Sequence, residues 1–221
     1  MFSKCSSVQI MIYLTGAVKK DGEALKDRKD IGVLLTFRSA GRTDGRTQYL
    51  TDSLWAADNG CFTNPNIEIS EYLAWLETLS EFAATCLFAT APDIVGDAAA
   101  TWERSQPILP KIRAAGFAAA LVAQDGIEDR PIAWDEFDCL FIGGSTEWKL
   151  SSNTFWLCRE AIKQGKWVHM GRVNSMRRLL QARFAGCNSA DGTFLAFGPD
   201  INFPKLTSWL DFIDRQPTLG F

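Results

Sequence analysis

Residues 119–144 read AALVAQDGIEDRPIAWDEFDCLFIGG and contain the pattern that decides the fold. Two short apolar runs, Ala119–Ala123 and Cys139–Ile142, are each followed directly by polar residues or glycines. Continuous apolar runs of this length are typical of parallel strands that are buried on both faces. The stretch therefore predicts two strands of a parallel sheet, with candidate functional residues at their carboxyl ends.

The same alternation extends outward over the rest of the chain. Further apolar runs predict strands at Val8–Leu14, Ile31–Phe37, Leu54–Ala57, Cys86–Thr90 and Trp167–Met170, with room for a last one near Cys187 or Phe194–Phe197. Segments of helical period lie between them, at Ser70–Ala84, Ala98–Ala115 (interrupted near Pro107 and Pro110), Thr154–Gln164, Ser175–Ala185 and Lys205–Ile213. About eight β–α alternations predict a compact (β/α)8 barrel formed as a single domain by residues 1–221. An open, doubly wound sheet is the alternative, because it uses the same alternation.

Composition and charge exclude several classes of protein. The 221 residues are 47% hydrophobic and 22% charged with a net charge of −3, which excludes a mainly disordered chain and a cationic field over the whole surface. Six cysteines without a CxxC pair and one histidine, His169, predict no metal site and a cytoplasmic location. No segment approaches the ~20 apolar residues that span a membrane, so we expect no membrane partner.

Polar residues and glycines follow most of the predicted strands. In chain order they are Asp58, Asp93 with Asp97, Gln124, Gly143 with Gly144, Arg172 and Asp191. In a barrel these side chains meet at one mouth. Asp can accept from the N–H donors of a guanine edge, Gln can donate to its carbonyl oxygen, and glycines let a flat base approach the backbone. A carboxylate can also attack an anomeric carbon while a second carboxyl group handles the proton of the leaving group.

Six short motifs in this order resemble the tRNA-guanine transglycosylase superfamily over residues 54–193. Asp58-Asn59-Gly60-Cys61-Phe62 looks like the family's D-S-G-G-F-Q, Gln124 like the Gln of V-Q-G-G, and Met170-Gly171-Arg172-Val173 like M-G-x-G. Leu179-Leu180-Gln181-Ala182 with Gly186 looks like the helix LLxAxxxG that precedes the family's nucleophile. The resemblance implies that Asp191 is the nucleophile and Asp58 the acid/base. It further implies that Asp93, with Asp97 as the second choice, binds the base together with Gln124, Gly143 and Gly144.

The sequence departs from the tRNA-acting enzymes of this family in one segment. Those enzymes carry a CxCxxC zinc subdomain with a histidine after the nucleophile, whereas no cysteine or histidine follows Asp191 here. The chain therefore looks like the short DNA deazaguanine transglycosylases of phages and bacterial modification systems. The resemblance implies exchange of guanine in DNA for a 7-deazaguanine such as 7-cyano-7-deazaguanine, with no cofactor. Its partners would be DNA and the free base, with tRNA as the alternative polymer.

Several residues have a plainer structural reading beside the functional one. Asp97 is well placed to cap the following helix, and His169 lies inside an apolar run, as a core histidine would. The basic residues Arg172, Arg177 and Arg178 lie close to Asp191 in the sequence and are predicted to contact nucleic-acid phosphates. Two alternatives to base exchange remain. One is a barrel enzyme that binds a phosphosugar at Gly143-Gly144 and Arg172, and the other is a non-catalytic module that binds nucleic acid or a nucleobase.

Overall fold

The computed structural model describes residues 10–16, 27–37 and 50–216, and these form a closed barrel of eight parallel strands. Each strand pairs with the next one in the chain, and the first pairs with the last. The strands are β1 (Ile12–Gly16), β2 (Ile31–Thr36), β3 (Trp55–Asp58), β4 (Cys86–Thr90), β5 (Ala119–Ala123), β6 (Cys139–Ile142), β7 (Trp167–Met170) and β8 (Ser189–Gly192). Closure through β1 and β8 confirms the (β/α)8 barrel and excludes the open sheet.

Among the described residues, α-helices follow β3, β4, β6, β7 and β8, and two 3-10 helices lie between β5 and β6. The α-helices are α1 (Ile69–Glu77), α2 (Ala98–Ser105), α3 (Leu109–Ala114), α4 (Thr146–Lys149), α5 (Ser152–Lys163), α6 (Met176–Ala185) and α7 (Pro199–Asp214). The helical segment predicted at Ala98–Ala115 is divided into α2 and α3, and Pro110 lies in the first turn of α3, where its missing N–H costs no hydrogen bond. Gly186 ends α6 in the left-handed conformation, as its position after the helix predicts.

Several predicted elements differ from the structure. The helix predicted at Ser70–Ala84 ends at Glu77 and is followed by a 3-10 helix at Ser80–Thr85. β1 begins at Ile12 and extends to Gly16, while Val8 and Gln9 lie outside the described residues. Residues Phe194–Ala196 form a short 3-10 helix, and the last strand is β8 instead. Leu195 there is buried, so the apolar run reflects burial and not strand pairing. The last helix, predicted at Lys205–Ile213, begins six residues earlier at Pro199 and includes Pro204.

Two apolar layers determine where side chains can point. One face of the strands, with Leu14, Ala56, Phe88, Val122 and Phe141, fills the interior of the barrel, and the other face packs under the helices. Successive side chains of a strand alternate between faces, so a residue two positions beyond an interior residue also points inward. This period directs Asp58, Gln124, Gly143 and Asp191 to the carboxyl-terminal mouth, two positions after Ala56, Val122, Phe141 and Ser189.

Candidate functional site

A cavity of about 570 Å³ opens at the carboxyl-terminal mouth of the barrel. It is lined by most of the residues that the sequence singles out: Asp58, Asp93, Gln124, Gly143, Arg172, Arg178 and Asp191. Six of these residues come from six different strand ends that are far apart in sequence, and Arg178 comes from α6. Their convergence on one cavity is the geometry that the barrel prediction requires.

Asp191 lies at the end of β8 and is buried against its neighbours. Its Oδ1 is 3.0 Å from Nε2 of His169, and the backbone N–H of Arg172 lies 3.3 Å from each of its carboxylate oxygens. Since both oxygens have a donor, the carboxylate is held in one orientation while it still lines the cavity. It is therefore suited to act as a positioned nucleophile.

Asp58 faces the same cavity from the end of β3. Burial, followed by the negative charges of Asp191 and Asp93, raises the pKa of the Asp58 carboxyl to about 7. A backbone hydrogen bond from Gly60 and a side-chain hydrogen bond from Thr36 oppose this shift. The carboxyl group can therefore both give and take a proton near neutral pH, which is the property of a general acid/base.

The raised pKa of Asp58 predicts a pH-dependent gain in stability for the variant Asp58→Asn. Between about pH 4 and pH 7 the unfolded chain has lost the proton that the folded protein keeps, so the parent protein loses stability as the pH rises. The variant lacks this loss. Its free energy of unfolding relative to the parent should rise by about 2 to 4 kcal/mol from pH 4 to pH 7 and then level off. Urea unfolding at four pH values measures this, and a constant difference would contradict it. Glu81→Gln, at an exposed position, is the control for loss of one charge.

A hydrogen-bonded network holds Asp93 and Gln124 on one wall of the cavity. Asp93 Oδ2 accepts from Gln124 Nε2 at 2.7 Å, and its Oδ1 accepts from Asn59 Nδ2 at 3.1 Å. The backbone N–H of Gly96 donates to Gln124 Oε1 at 3.0 Å. Gln124 Nε2 carries two N–H donors and Asp93 accepts from one of them, so the second is available to a ligand. The wall therefore presents carboxylate lone pairs beside an amide N–H. Burial raises the pKa of Asp93, while its hydrogen bonds to Asn59 and Gln124 lower it.

The turn after β7 is strained and is held by two basic side chains. Arg172 has φ of 61°, a left-handed conformation that costs a non-glycine residue about 1 kcal/mol or more. Its guanidinium donates to the carbonyl oxygens of Gly143 and Gly144 and lies 4.8 Å from the centre of the Phe62 ring. Lys149 Nζ donates to the carbonyl oxygen of Gly171 at 2.7 Å, and burial lowers the pKa of this buried lysine to about 8.

The three arginines predicted to bind phosphates lie in different environments. Arg172 is used inside the protein, where it joins the ends of β6 and β7. Arg178 lines the cavity and donates to the carbonyl oxygen of Arg172 at 3.4 Å, and Arg177 is exposed. The prediction of phosphate contacts therefore stays with Arg177 and Arg178, and Arg172 has a bridging position.

Asp97 caps a helix, which is the structural alternative that its place in the sequence indicates. It is the residue before α2, and its side chain accepts from the backbone N–H of Ala100 at 2.9 Å. Gly143 lines the cavity, whereas Gly144 does not. A Cβ at Gly144 would point toward Trp148 and Asp125 and overlap both. Of the residues predicted to contact a base, Asp93, Gln124 and Gly143 line the cavity.

Sequence reasoning missed three residues of this region. Asn59 donates both to Asp93 and to the carbonyl oxygen of Ala91, and Lys149 supports the β7 turn. Ser189 lies beside His169 in the barrel interior, 2.8 Å from its Nδ1. The only sequence signal for Asn59 is its place next to Asp58, whereas Lys149 and Ser189 carry none.

No family model matches the chain, and no curated protein matches it. Solved structures do: the open form of tryptophan synthase from M. tuberculosis has a TM-score of 0.60 at 11% identity, covering 98% of this chain and 96% of that one. A structure described as native KDPGal gives 0.61 at 11% identity, covering 93% and 94%. A putative isomerase from Sinorhizobium meliloti gives 0.57 at 14% identity, covering 86% of this chain and 52% of that one. At these identities the likeness defines the class of fold, a (β/α)8 barrel, and nothing finer.

Among residues 10–16, 27–37 and 50–216, no group of three or more His, Cys, Asp and Glu side chains is arranged to hold a metal ion. In the same part of the chain, no helix combines the length and the apolar character needed to cross a bilayer.

Proposed function

We propose that this chain is a DNA guanine transglycosylase that exchanges guanine for a 7-deazaguanine through a covalent Asp191 intermediate. The observation that carries the proposal is that Asp191 and Asp58 face the same cavity as the Asp93–Gln124 network. The order of these residues along the chain, and the motifs around them, are those of the transglycosylase resemblance. A nucleophile, a proton carrier and a base-reading wall are the three parts that base exchange needs.

The Asp93–Gln124 wall matches the edge of guanine. Guanine offers two N–H donors, N1–H and N2–H, beside the O6 acceptor. The remaining lone pairs of Asp93 can accept from these donors, and the free N–H of Gln124 can donate to O6. Since Gly96 orients the Gln124 amide, the wall is arranged before the base enters. A guanine nucleotide must leave the base stack to reach the cavity, as in other enzymes that act on bases.

The two carboxyl groups suit a double displacement with retained configuration. In the first step an oxygen of Asp191 forms a bond to the anomeric carbon while the bond from that carbon to N9 of guanine breaks. The leaving base takes the electron pair and a proton from Asp58. The entering 7-deazaguanine then gives its N9 proton back to Asp58, and N9 attacks the anomeric carbon so that Asp191 is released. The kinetics are expected to be ping-pong.

The choice of DNA as the polymer rests on the resemblance, and positive charge near the cavity fits a nucleic-acid substrate. Arg177 and Arg178 lie on α6, directly after the β7 turn that borders the cavity, and supply positive charge for a phosphate backbone near the site.

The phosphosugar alternative has less support at Gly143-Gly144. The Asp125 carboxylate accepts from both the backbone N–H and the hydroxyl of Ser145, at 2.7 and 2.6 Å. An anion that approached this turn would meet a negative charge instead of free donors. The guanidinium of Arg172 is also engaged with the two glycine carbonyl groups.

A base-exchange assay tests the proposed function. The protein is incubated with duplex DNA or with tRNA and radiolabelled guanine, and then with labelled 7-cyano-7-deazaguanine, and label in the polymer is counted. Label in DNA is the expected result. Label in tRNA alone would overturn the DNA assignment, and no label in either polymer with either base would overturn base exchange and favour a binding module.

The close packing of Gly143 against Gln124 predicts that Gly143→Ala weakens the binding of guanine. A Cβ at this position would lie 2.6 Å from Val122 Cγ1 and 2.9 Å from Gln124 Nε2, so Gly143→Ala must displace the Gln124 amide. We expect guanine affinity to fall by about 10-fold or more, because a shift of this size misplaces a base contact. Equilibrium dialysis with labelled guanine measures the affinity.

Gly16→Ala is the matched control for this variant. Gly16 lines the same cavity, but a Cβ there would meet no atom of the described residues within 4 Å, and its backbone has no positive φ. Equal affinity losses in both variants would contradict the assigned role of Gly143.

A further inference from the structure

His169 lies in the interior of the barrel, directly beneath the cavity. Its side chain is fully buried, and its ring packs against the rings of Phe88 and Phe141 with centroid distances of 4.9 and 4.5 Å. Position 169 on β7 pairs with Ser189 on β8, and Asp191 is two residues further on the same face of β8. The barrel register therefore stacks His169 between a serine and the proposed nucleophile.

A chain of three hydrogen bonds runs through this stack. Trp167 Nε1 lies 2.9 Å from Ser189 Oγ, Ser189 Oγ lies 2.8 Å from His169 Nδ1, and His169 Nε2 lies 3.0 Å from Asp191 Oδ1. The Trp indole can only donate, so Ser189 accepts from Trp167, and its hydroxyl hydrogen is free to be donated to His169 Nδ1. In the tautomer with hydrogen on Nε2, the ring then donates to the Asp191 carboxylate.

We propose that His169, oriented by Ser189 and Trp167, is the positioning residue for Asp191, an inference that rests on the proposed function. The imidazole and the backbone N–H of Arg172 together fix the rotation of the carboxylate. With Oδ1 held by His169, Oδ2 is the oxygen that forms the bond to the anomeric carbon as the bond to N9 breaks. Oδ1 becomes the ester carbonyl and keeps its hydrogen bond to Nε2–H.

The packing of His169 restricts the rotation of its ring. Phe88 and Phe141 contact it from two sides, and both ring nitrogens have a partner within the barrel. The ring nitrogens of a buried histidine are normally hydrogen-bonded, so the identity of the partners is the informative feature. These contacts connect a residue low in the barrel, Trp167, to the residue at the mouth.

The first test is a measurement of the His169 tautomer, and it does not depend on activity. His169 is the single histidine of the chain, so ¹⁵N-histidine labelling of protein freed of any affinity tag gives the signals of one ring. The expected result is a ring with hydrogen on Nε2, with signals that shift in Asp191→Ala and in Ser189→Ala. A ring without hydrogen on Nε2, or signals insensitive to Asp191→Ala, would overturn the positioning role.

The second test compares three replacements in the exchange reaction. His169→Gln keeps an N–H near the position of Nε2, whereas His169→Leu removes it at similar volume. For the Leu variant we expect kcat to fall about 10²-fold with the KM for guanine within about 2-fold, because the nucleophile is misplaced and the base wall is intact. The Gln variant should recover at least about 10-fold of that loss, and Ser189→Ala should fall between them.

The outcomes separate this inference from the proposed function. Rates are expressed per folded molecule, with thermal unfolding of each variant measured alongside. If Gln and Leu lose activity equally, or if KM rises as much as kcat falls, His169 has only a packing role and the inference is overturned. If the parent protein exchanges no base in DNA or tRNA, the proposed function fails, and a positioning role toward a nucleophile fails with it, even where the tautomer is as expected.

Discussion

The variant Asp191→Asn is expected to lose base exchange by about 10⁴-fold or more, because an amide oxygen cannot form the covalent bond to the anomeric carbon that a carboxylate forms. The replacement has the same size, and its carbonyl oxygen can still accept from His169 Nε2, so the fold should be unaffected. Label transfer from radiolabelled guanine measures the rate. Denaturing gels of the parent protein mixed with DNA should show a protein–DNA adduct that the variant does not form.

Asp97→Asn is the control for this loss. Asp97 caps α2 outside the cavity, and asparagine caps a helix about as well as aspartate. This variant removes the same charge from the chain and should retain full activity. An Asp191→Asn protein with more than about 1% of the parent rate would exclude Asp191 as the nucleophile, since the loss of a covalent step is far larger than that.

The second large effect is expected for Asp93→Asn. The new amide would direct N–H groups at the N–H donors of guanine and at Gln124 Nε2, so two hydrogen bonds would be replaced by repulsion. A site that is built to hydrogen-bond its ligand loses about 10³-fold or more when that match is broken. We expect kcat/KM for guanine to fall by about this factor, mainly through KM, while the Asp191 adduct still forms slowly.

Hypoxanthine provides the matched comparison, because it is guanine without the exocyclic amino group. The parent protein should prefer guanine, since Asp93 accepts from that group in the proposed complex. In Asp93→Asn the ratio of kcat/KM values for the two bases should move toward one. An unchanged ratio would show that another residue reads the amino group.

The convergence of the site could be predicted from the sequence for a simple physical reason. Parallel strands that alternate with helices all end at the same edge, so residues that directly follow apolar runs must meet there. Asp58, Asp93 and Gln124 satisfy this condition, whereas Asp191 follows no apolar run and is singled out only by its place in the motif order. All four line one cavity. Neither strand register nor helix packing had to be known to place them together.

The contacts between these residues could not be predicted in the same way. The guanidinium of Arg172 turns toward Gly143 because the Arg172 backbone adopts a left-handed conformation, which no pattern in the sequence indicates. His169 lies in an apolar run and is compatible with a plain core position. Its link to Asp191 depends on the pairing of β7 with β8, which is a property of the closed barrel.

The closure of the barrel by β1 and β8 also has a consequence for the order of folding. Leu14 lies opposite Asp191, and Met11 donates to Asp214, 203 residues away in the chain. Contacts of such high sequence separation form late, and a chain emerging from the ribosome makes β8 after the other seven strands. Asp93 and Gln124, which follow β4 and β5, can be in place before β8 arrives. Under the proposed function, a nascent chain could hold a base but could not cleave a glycosidic bond until β1 and β8 had paired.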